Sequence, residues 1–96
     1  MDLKVVIKKV DMPTPLQDYI INRTKCLMAS NSKDSEIARI LKTEVQNMNE
    51  PYWHCVVGKK FSSYISYEAG CFLWFKIDNK IFLIFKSLYF PKELPH

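Results

Sequence analysis

The residues best suited to chemistry are His54 and Cys55, because an adjacent histidine and cysteine offer a base with a nucleophile, or two metal ligands. They lie in an apolar run over residues 52–57 that ends at Gly58 and predicts a β-strand. Neighbouring side chains on a strand point to opposite faces, so these two cannot easily share a proton or a metal ion. We therefore expect His54 to be a buried structural histidine.

No other pattern indicates catalysis. The carboxylates Asp34, Glu36 and Glu68 lie where helix starts and turns favour them. The chain has two histidines, and it shows neither a nucleophile elbow nor a metal-binding spacing. Its two glycines are too few for a phosphate-binding loop. We expect no catalytic residue, no metal site and no cofactor, and we expect that the protein is not an enzyme.

The charge is mildly basic, with a net charge of +4 and a pI of about 9.0. Nearly all the positive residues are lysines, and arginine occurs only at Arg23 and Arg39. A solvated lysine-rich surface is the simplest interpretation, since nucleic-acid recognition usually relies on arginine. The alternative is a binder of single-stranded nucleic acid that stacks bases on Tyr64, Tyr67 and Trp74, and its binding would depend steeply on salt.

The length and the cysteines suggest a small intracellular domain. With 96 residues the chain fits one domain with a modest core, which self-association can supplement. Three cysteines without CxxC spacing argue for reduced thiols. No apolar run has the length of a signal peptide or of a membrane span, so we expect a soluble protein that binds no membrane.

The first half of the sequence predicts a short strand and two helices. The strand covers residues 5–7, and the first helix runs from Thr14 to about Ala29, with Thr14 as the cap, Pro15 at the first helical position and Gln17 completing a capping box. The second helix has Ser32 or Asp34 as its cap and ends before Pro51. Two stripes predict the buried faces, namely Leu16, Ile20, Thr24, Leu27 and Met28, and then Ile37, Leu41, Val45 and Met48.

The second half predicts strands. Residues 61–67 alternate strictly, and strands over residues 71–77 and 80–85 are joined by Asp78-Asn79, which tolerate the positive φ of a tight hairpin. Helices followed by strands indicate an α+β domain with an antiparallel sheet. The segment 61–67 interleaves three serines with aromatic residues, so it is suited to a sheet edge to which another strand can add. An ordinary exposed hairpin arm explains the same composition.

One stretch resembles a known family. The sequence P-Y-W-H-C-V-V-G-K-K-F-S-S-Y-I-S-Y-E, residues 51–68, is similar to the signature of the small cytoplasmic dynein light chains, which are homodimeric hub proteins. The similarity extends from Lys4 to Ser87, and it includes Asp11-Met12, Ile37-Ala38 and Phe85-Lys86-Ser87. We therefore expect a dynein light chain domain over residues 1–87 and a C-terminal tail over 88–96. We expect the apolar start of that tail, Leu88-Tyr89-Phe90, to pack on the domain or on a partner subunit, and a tail without a role is the alternative.

The resemblance implies two helices packed on an antiparallel β-sandwich formed across a strand-exchanged homodimer. The strand 61–67 would cross to the partner subunit, and a target peptide would add beside it, with a glutamine received at the start of the second helix. The implied peptide-binding residues are Asp34, Ser35, Lys60, Phe61, Ser62, Ser63, Tyr64, Ile65, Ser66, Tyr67, Phe72 and Trp74. The implied dimer interface consists of His54, Phe61, Ser63, Tyr64, Ile65, Ser66 and Ser87.

The resemblance also implies a function and partners. It predicts a non-catalytic hub that binds extended segments of a dynein intermediate chain and of other proteins, in the cytoplasm and on the microtubule cytoskeleton. A diverged adaptor that serves no motor is the alternative. Around the implied groove the sequence departs from the usual family residues, so the resemblance does not imply which peptide sequence is preferred. These departures are Asp34, Lys60, Ser62, Tyr67, Cys71, Trp74 and Lys76.

Overall fold

A computed structural model describes residues 3–49, 51–59 and 67–87. Its elements, in chain order, are β1 (Val5–Asp11), α1 (Thr14–Ala29), α2 (Asp34–Met48), β2 (Trp53–Gly58), β3 (Tyr67–Ile77) and β4 (Lys80–Ser87). The strands form one sheet in the order β1-β3-β4-β2, and every neighbouring pair is antiparallel. The predicted α+β class is confirmed. The exchange of strands between two subunits stays a prediction.

The helices cover the predicted segments, but both predicted caps are wrong by one residue. Gln17 donates its backbone N–H to the Pro13 carbonyl at 3.1 Å, so Pro13, and not Thr14, is the cap of α1, and no side chain caps this end. The cap of α2 is Lys33, whose carbonyl accepts from Ile37 at 2.9 Å. The Glu36 carboxylate accepts the Lys33 N–H at 3.2 Å and so stabilises Lys33 as the cap, which lies between the predicted Ser32 and Asp34.

The predicted apolar stripes form most of the helical core. Ile20, Thr24 and Leu27 of α1 are buried, and the Thr24 hydroxyl is satisfied by the Ile20 carbonyl at 2.7 Å. Ile37, Leu41 and Val45 of α2 are fully buried. Met48 is not part of this core, because it is the last residue of α2 and is 51% exposed.

The strands differ from the prediction where pairing overrides local sequence. β1 runs four residues beyond Ile7 because it pairs with β3 as far as Asp11, and it accommodates Lys8 in a bulge. Tyr67 and Glu68 belong to β3 itself, although a separate strand and a turn were predicted there. The hairpin between β3 and β4 is confirmed, with Asp78 at φ 54°.

The sheet has two unlike faces, because paired residues on neighbouring strands point to the same side. The inner face packs against both helices through Trp53, Leu73, Phe75, Ile77, Phe82 and Ile84. The register places a second set of side chains on the opposite side, which we call the outer face: Val6, Lys9, His54, Val56, Phe72, Trp74, Lys76, Leu83 and Phe85. The helical core lies on the inner side, so another molecule can meet the described sheet at its outer face or at its edges.

Candidate interaction surface

His54 and Cys55 lie on opposite faces of β2, as predicted. The Cys55 side chain packs against the core on the inner face, where burial raises the pKa of its thiol to about 12. A thiol with that pKa stays protonated at neutral pH, so it is neither a nucleophile nor a ready metal ligand. Among the described residues, no three His, Cys, Asp or Glu side chains are grouped closely enough to hold a metal ion.

His54 is held on the outer face by a short chain of hydrogen bonds. The Ser87 hydroxyl donates to the Tyr52 carbonyl at 3.2 Å, and His54 Nε2 lies 3.2 Å from Ser87 Oγ. Since the Ser87 hydroxyl gives its one proton to the Tyr52 carbonyl, its oxygen accepts from His54. The neutral imidazole therefore carries its proton on Nε2. The imidazole also lies against the Phe85 ring, with the centroids 5.3 Å apart. The structure thus joins His54 and Ser87, two residues that the predicted dimer interface contains.

The surroundings of His54 favour its neutral form. Partial burial, and then the positive charge of Lys42 on α2, lower the pKa of this imidazole below its ordinary value. The side chain is half-buried in a single chain, which differs from the fully buried histidine that the sequence suggested. Contact with a second subunit would complete its burial.

Two predicted groove residues, Phe72 and Trp74, lie next to each other on the outer face of β3. The Tyr67 ring packs on Phe72, with centroids 4.4 Å apart and an interplanar angle of 33°. Phe72 is 6% exposed, and the indole N–H of Trp74 is buried with no acceptor. The structure therefore brings together Tyr67, Phe72 and Trp74, and we call these three residues the aromatic floor.

A lysine that sequence reasoning missed lies over this floor. Lys9 Nζ is 5.3 Å from the centroid of the Phe72 ring and 5.7 Å from that of Tyr67, within the range of a cation–π interaction. The bulge at Lys8 places Lys9 opposite Trp74. Strict alternation of side chains from Val6 would have placed Lys8, and not Lys9, on the outer face. The sequence pattern alone would therefore have selected Lys8 for this position.

The start of α2 presents Asp34 and Ser35. The Lys80 ammonium donates to the Asp34 carboxylate and forms an ion pair with it, a partner that the sequence did not reveal. Ser35 is exposed. The first turn of a helix has backbone N–H groups without intrahelical partners, so this end can receive an amide oxygen. The remaining predicted groove residues lie outside the described part of the chain, namely Lys60, Phe61, Ser62, Ser63, Tyr64, Ile65 and Ser66.

β2 lies at one edge of the described sheet, and the register shows which of its backbone groups point outward. Ser87 donates its N–H to the Tyr52 carbonyl at 2.9 Å, so this pair is a hydrogen-bonded one. Hydrogen-bonded pairs alternate along an antiparallel ladder, so His54 and Val56 bond to β4. Cys55 and Val57 therefore direct their N–H and C=O groups away from β4, toward the open edge.

Comparisons of the sequence with known proteins give relatives that cover most of the chain. It is 34% identical over 84 residues to a dynein light chain of Schistosoma mansoni, a match that covers 88% of this chain and 94% of that protein. It is 35% identical over 82 residues to a cytoplasmic dynein light chain 1 of Debaryomyces hansenii, with 85% and 90% covered.

The fold has solved counterparts. The dynein light chain-like domain of the Fasciola hepatica calcium binding protein FhCaBP2 superposes with a TM-score of 0.80 at 21% identity, covering 91% of this chain and 94% of that one. A mercury derivative of the same domain gives 0.78 at 19% identity, covering 93% and 97%. This likeness concerns the fold alone. Residues 4–87 match the family model described as dynein light chain type 1. The chain belongs to the dynein light chain family.

Proposed function

We propose that this protein is a non-catalytic, homodimeric light chain that binds extended peptide segments of partner proteins by β-strand addition. The observation that carries the proposal is the combination of β2 at an edge of the described sheet and an outer face that presents apolar side chains. Val6 and Val56 on that face are 39% and 41% exposed. A strand added at the β2 edge would extend the sheet and bring further side chains to this face.

The added strand at β2 is the segment 61–67 of a second subunit. It would bond to the outward groups of β2, and the two-fold relation would return the same contact to the first subunit. His54, Ser87 and Phe85 then lie at the dimer interface, since they adjoin β2 on the outer face. Apolar side chains from the crossing strand would bury the imidazole further.

The target peptide adds on the other side of the crossing strand, over the aromatic floor of the subunit that supplies that strand, since Tyr67 belongs both to the segment 61–67 and to the floor. Its backbone pairs with residues 60–67, and its side chains alternate between the floor and solvent. A glutamine of the peptide reaches the first turn of α2, where its amide oxygen accepts a backbone N–H. Asp34 contributes beside it, and the Lys80 ammonium fixes the orientation of that carboxylate.

The partners are proteins with short extended segments, and a dynein intermediate chain is the first of them. Two grooves per dimer hold two chains at once, so bivalence raises the apparent affinity by about 10²–10⁴-fold without new contacts. The protein works in the cytoplasm at the microtubule cytoskeleton and needs no cofactor. None of the helices in the described ranges is long and apolar enough to span a bilayer.

A proline scan tests the proposal. A partner peptide is first recovered by pull-down from cell extract and mapped, and proline is then placed singly at positions 62 to 66. Successive N–H groups along this strand face opposite sides, one toward the peptide and the next toward β2 of the other subunit. One proline variant should therefore weaken peptide binding and the next should weaken dimerisation, each by about fivefold per lost ladder bond. Alanine at the same positions is the matched control. If every proline variant stays dimeric and binds the peptide like the parent, strand addition at this segment is wrong.

A further inference from the structure

The outer face carries positive charge around the aromatic floor. Lys9 on β1 lies opposite Trp74, and Lys76 lies opposite Val6 and two residues along β3 from Trp74. Among the described residues neither lysine has a carboxylate partner within ion-pair distance. The one nearby carboxylate on this face, Asp11, accepts a hydrogen bond from the Gly70 N–H at 3.2 Å. The floor is therefore bordered by two cations and one already engaged anion.

Lys9 is also held in place. Its ammonium lies within 6 Å of two ring centroids, an arrangement that favours a position of the charge over the floor, while the side chain stays exposed to solvent. The backbone supports this position, because the bulge at Lys8 turns Lys9 to the outer face. A cation that is already positioned loses little side-chain entropy when it meets an anion.

These donors suit a carboxylate better than a nucleobase. Bases bind single-strand sites by stacking on open ring faces. Here the Tyr67 and Phe72 rings pack on each other at 4.4 Å, and Lys9 lies over both. The faces that a base needs are thus already in contact, whereas an acidic side chain that approaches the floor meets an ammonium that has no carboxylate partner within the described ranges.

We propose that the groove selects acidic peptides, through Asp or Glu side chains that point to the aromatic floor and pair with Lys9 and Lys76. This inference rests on the proposed strand addition and names the partner chemistry for it. A peptide strand that lies over this outer face turns every second side chain toward it, about 6.6 Å apart, so acidic residues at alternate positions can meet the two lysines. Acidic residues on the solvent side of the same peptide contribute little.

The test uses the recovered peptide in matched versions, with Glu or Gln at each position that faces the floor. Calorimetry on the full dimeric protein should show that the best Glu version binds about five times more tightly than its Gln version, because partly buried ion pairs contribute about 1 kcal/mol. The preference for the Glu version should shrink when the salt concentration is raised roughly tenfold, from about 0.05 to about 0.5 M. Lys9→Gln should remove most of it, and Lys9→Arg should restore it. Lys8→Gln, the same charge change at the adjacent bulged residue, is the control that should leave it intact.

The outcomes separate this inference from the proposed function. If the parent binds Glu and Gln versions equally, acidic selection is wrong while strand addition stands. A preference that survives Lys9→Gln and Lys76→Gln together would also overturn it. If the parent binds no peptide at all, the proposed function fails first. Displacement of the peptide by a single-stranded oligonucleotide, with no preference for Glu, would favour the nucleic-acid alternative and refute the acidic groove.

Discussion

The open edge of β2 leads to a prediction about dimerisation. Val57 points its N–H away from β4, whereas the adjacent Val56 points its N–H toward β4. Proline lacks this N–H, and it is tolerated at an edge strand only where the N–H faces outward. Val57→Pro should therefore weaken the dimer while it keeps every backbone hydrogen bond between β2 and β4, apart from any packing that its side chain loses at the core. Val56→Pro should instead break a bond to β4 and destabilise the subunit itself.

The magnitude follows from the symmetry of the dimer. Each subunit loses one ladder bond at Val57, so one dimer loses two. At about 1 kcal/mol net for each bond, the dimerisation free energy falls by about 2 kcal/mol, which raises the dissociation constant about 30-fold. Val57→Ala keeps the N–H and removes most of the side chain, so it reports the packing contribution separately.

Sedimentation equilibrium measures the dissociation constant, and chemical denaturation measures the free energy of unfolding. We expect a higher dissociation constant for Val57→Pro than for Val57→Ala. We expect the free energy of unfolding of Val56→Pro to be more than about 1 kcal/mol below that of the parent. A monomeric parent protein would contradict the reasoning at once. Equal dissociation constants for Val57→Pro and Val57→Ala would show that no strand adds at this edge.

Three further outcomes are expected. Contact with a second subunit would bury His54 further and lower its pKa more, so dimerisation would favour the neutral imidazole and the dimer should hold near pH 7. It should weaken as the pH falls through the pKa of His54 in the single subunit, which burial and Lys42 already hold below the ordinary value of about 6.5, by at most about 100-fold per pH unit for two histidines. Sedimentation of His54→Ala should lose this pH dependence, and an unchanged profile contradicts it. A double-mutant cycle on Arg23 and Glu44, which form a two-pronged ion pair at 3.0 Å between α1 and α2, should give a favourable coupling in denaturation at low salt that shrinks as salt is added, and no coupling at low salt would show that solvent screens the pair. Truncation after Ser87, the residue that follows Lys86 in the lining of a cavity of about 530 Å³, should lower the free energy of unfolding by about 1 kcal/mol or more if the apolar tail packs in that cavity, and an unchanged value means that the tail has no such role.

Patterns that depend on local sequence predicted most of the fold. The apolar stripe through Ile37 and Leu41 located α2, and the turn at Asp78 located the β3–β4 hairpin, because helical periodicity and positive φ are properties of short segments. Alternation also separated His54 from Cys55 correctly. The family resemblance then placed Phe72 and Trp74 on one surface, which the register supports.

The errors arise where distant parts of the chain decide the structure. Pairing with β3 extended β1 beyond the predicted end and introduced the bulge that brings Lys9 over the floor, and no local pattern at Lys8 indicates a bulge. The ion pair between Asp34 and Lys80 joins residues 46 positions apart. The helix caps moved because Glu36 and the Pro13 carbonyl satisfied the first turns in place of the predicted side chains.

The central claim is that a partner peptide adds to this protein as a β-strand, and amide hydrogen exchange of the bound peptide tests it most directly. An isotopically labelled peptide in complex with the dimer can be followed by NMR, one residue at a time. A strand bonded along one side protects every second N–H, so we expect alternating slow and fast exchange along the bound segment, with one peptide per subunit. Uniformly fast exchange, or protection of consecutive N–H groups as in a helix, would contradict the account.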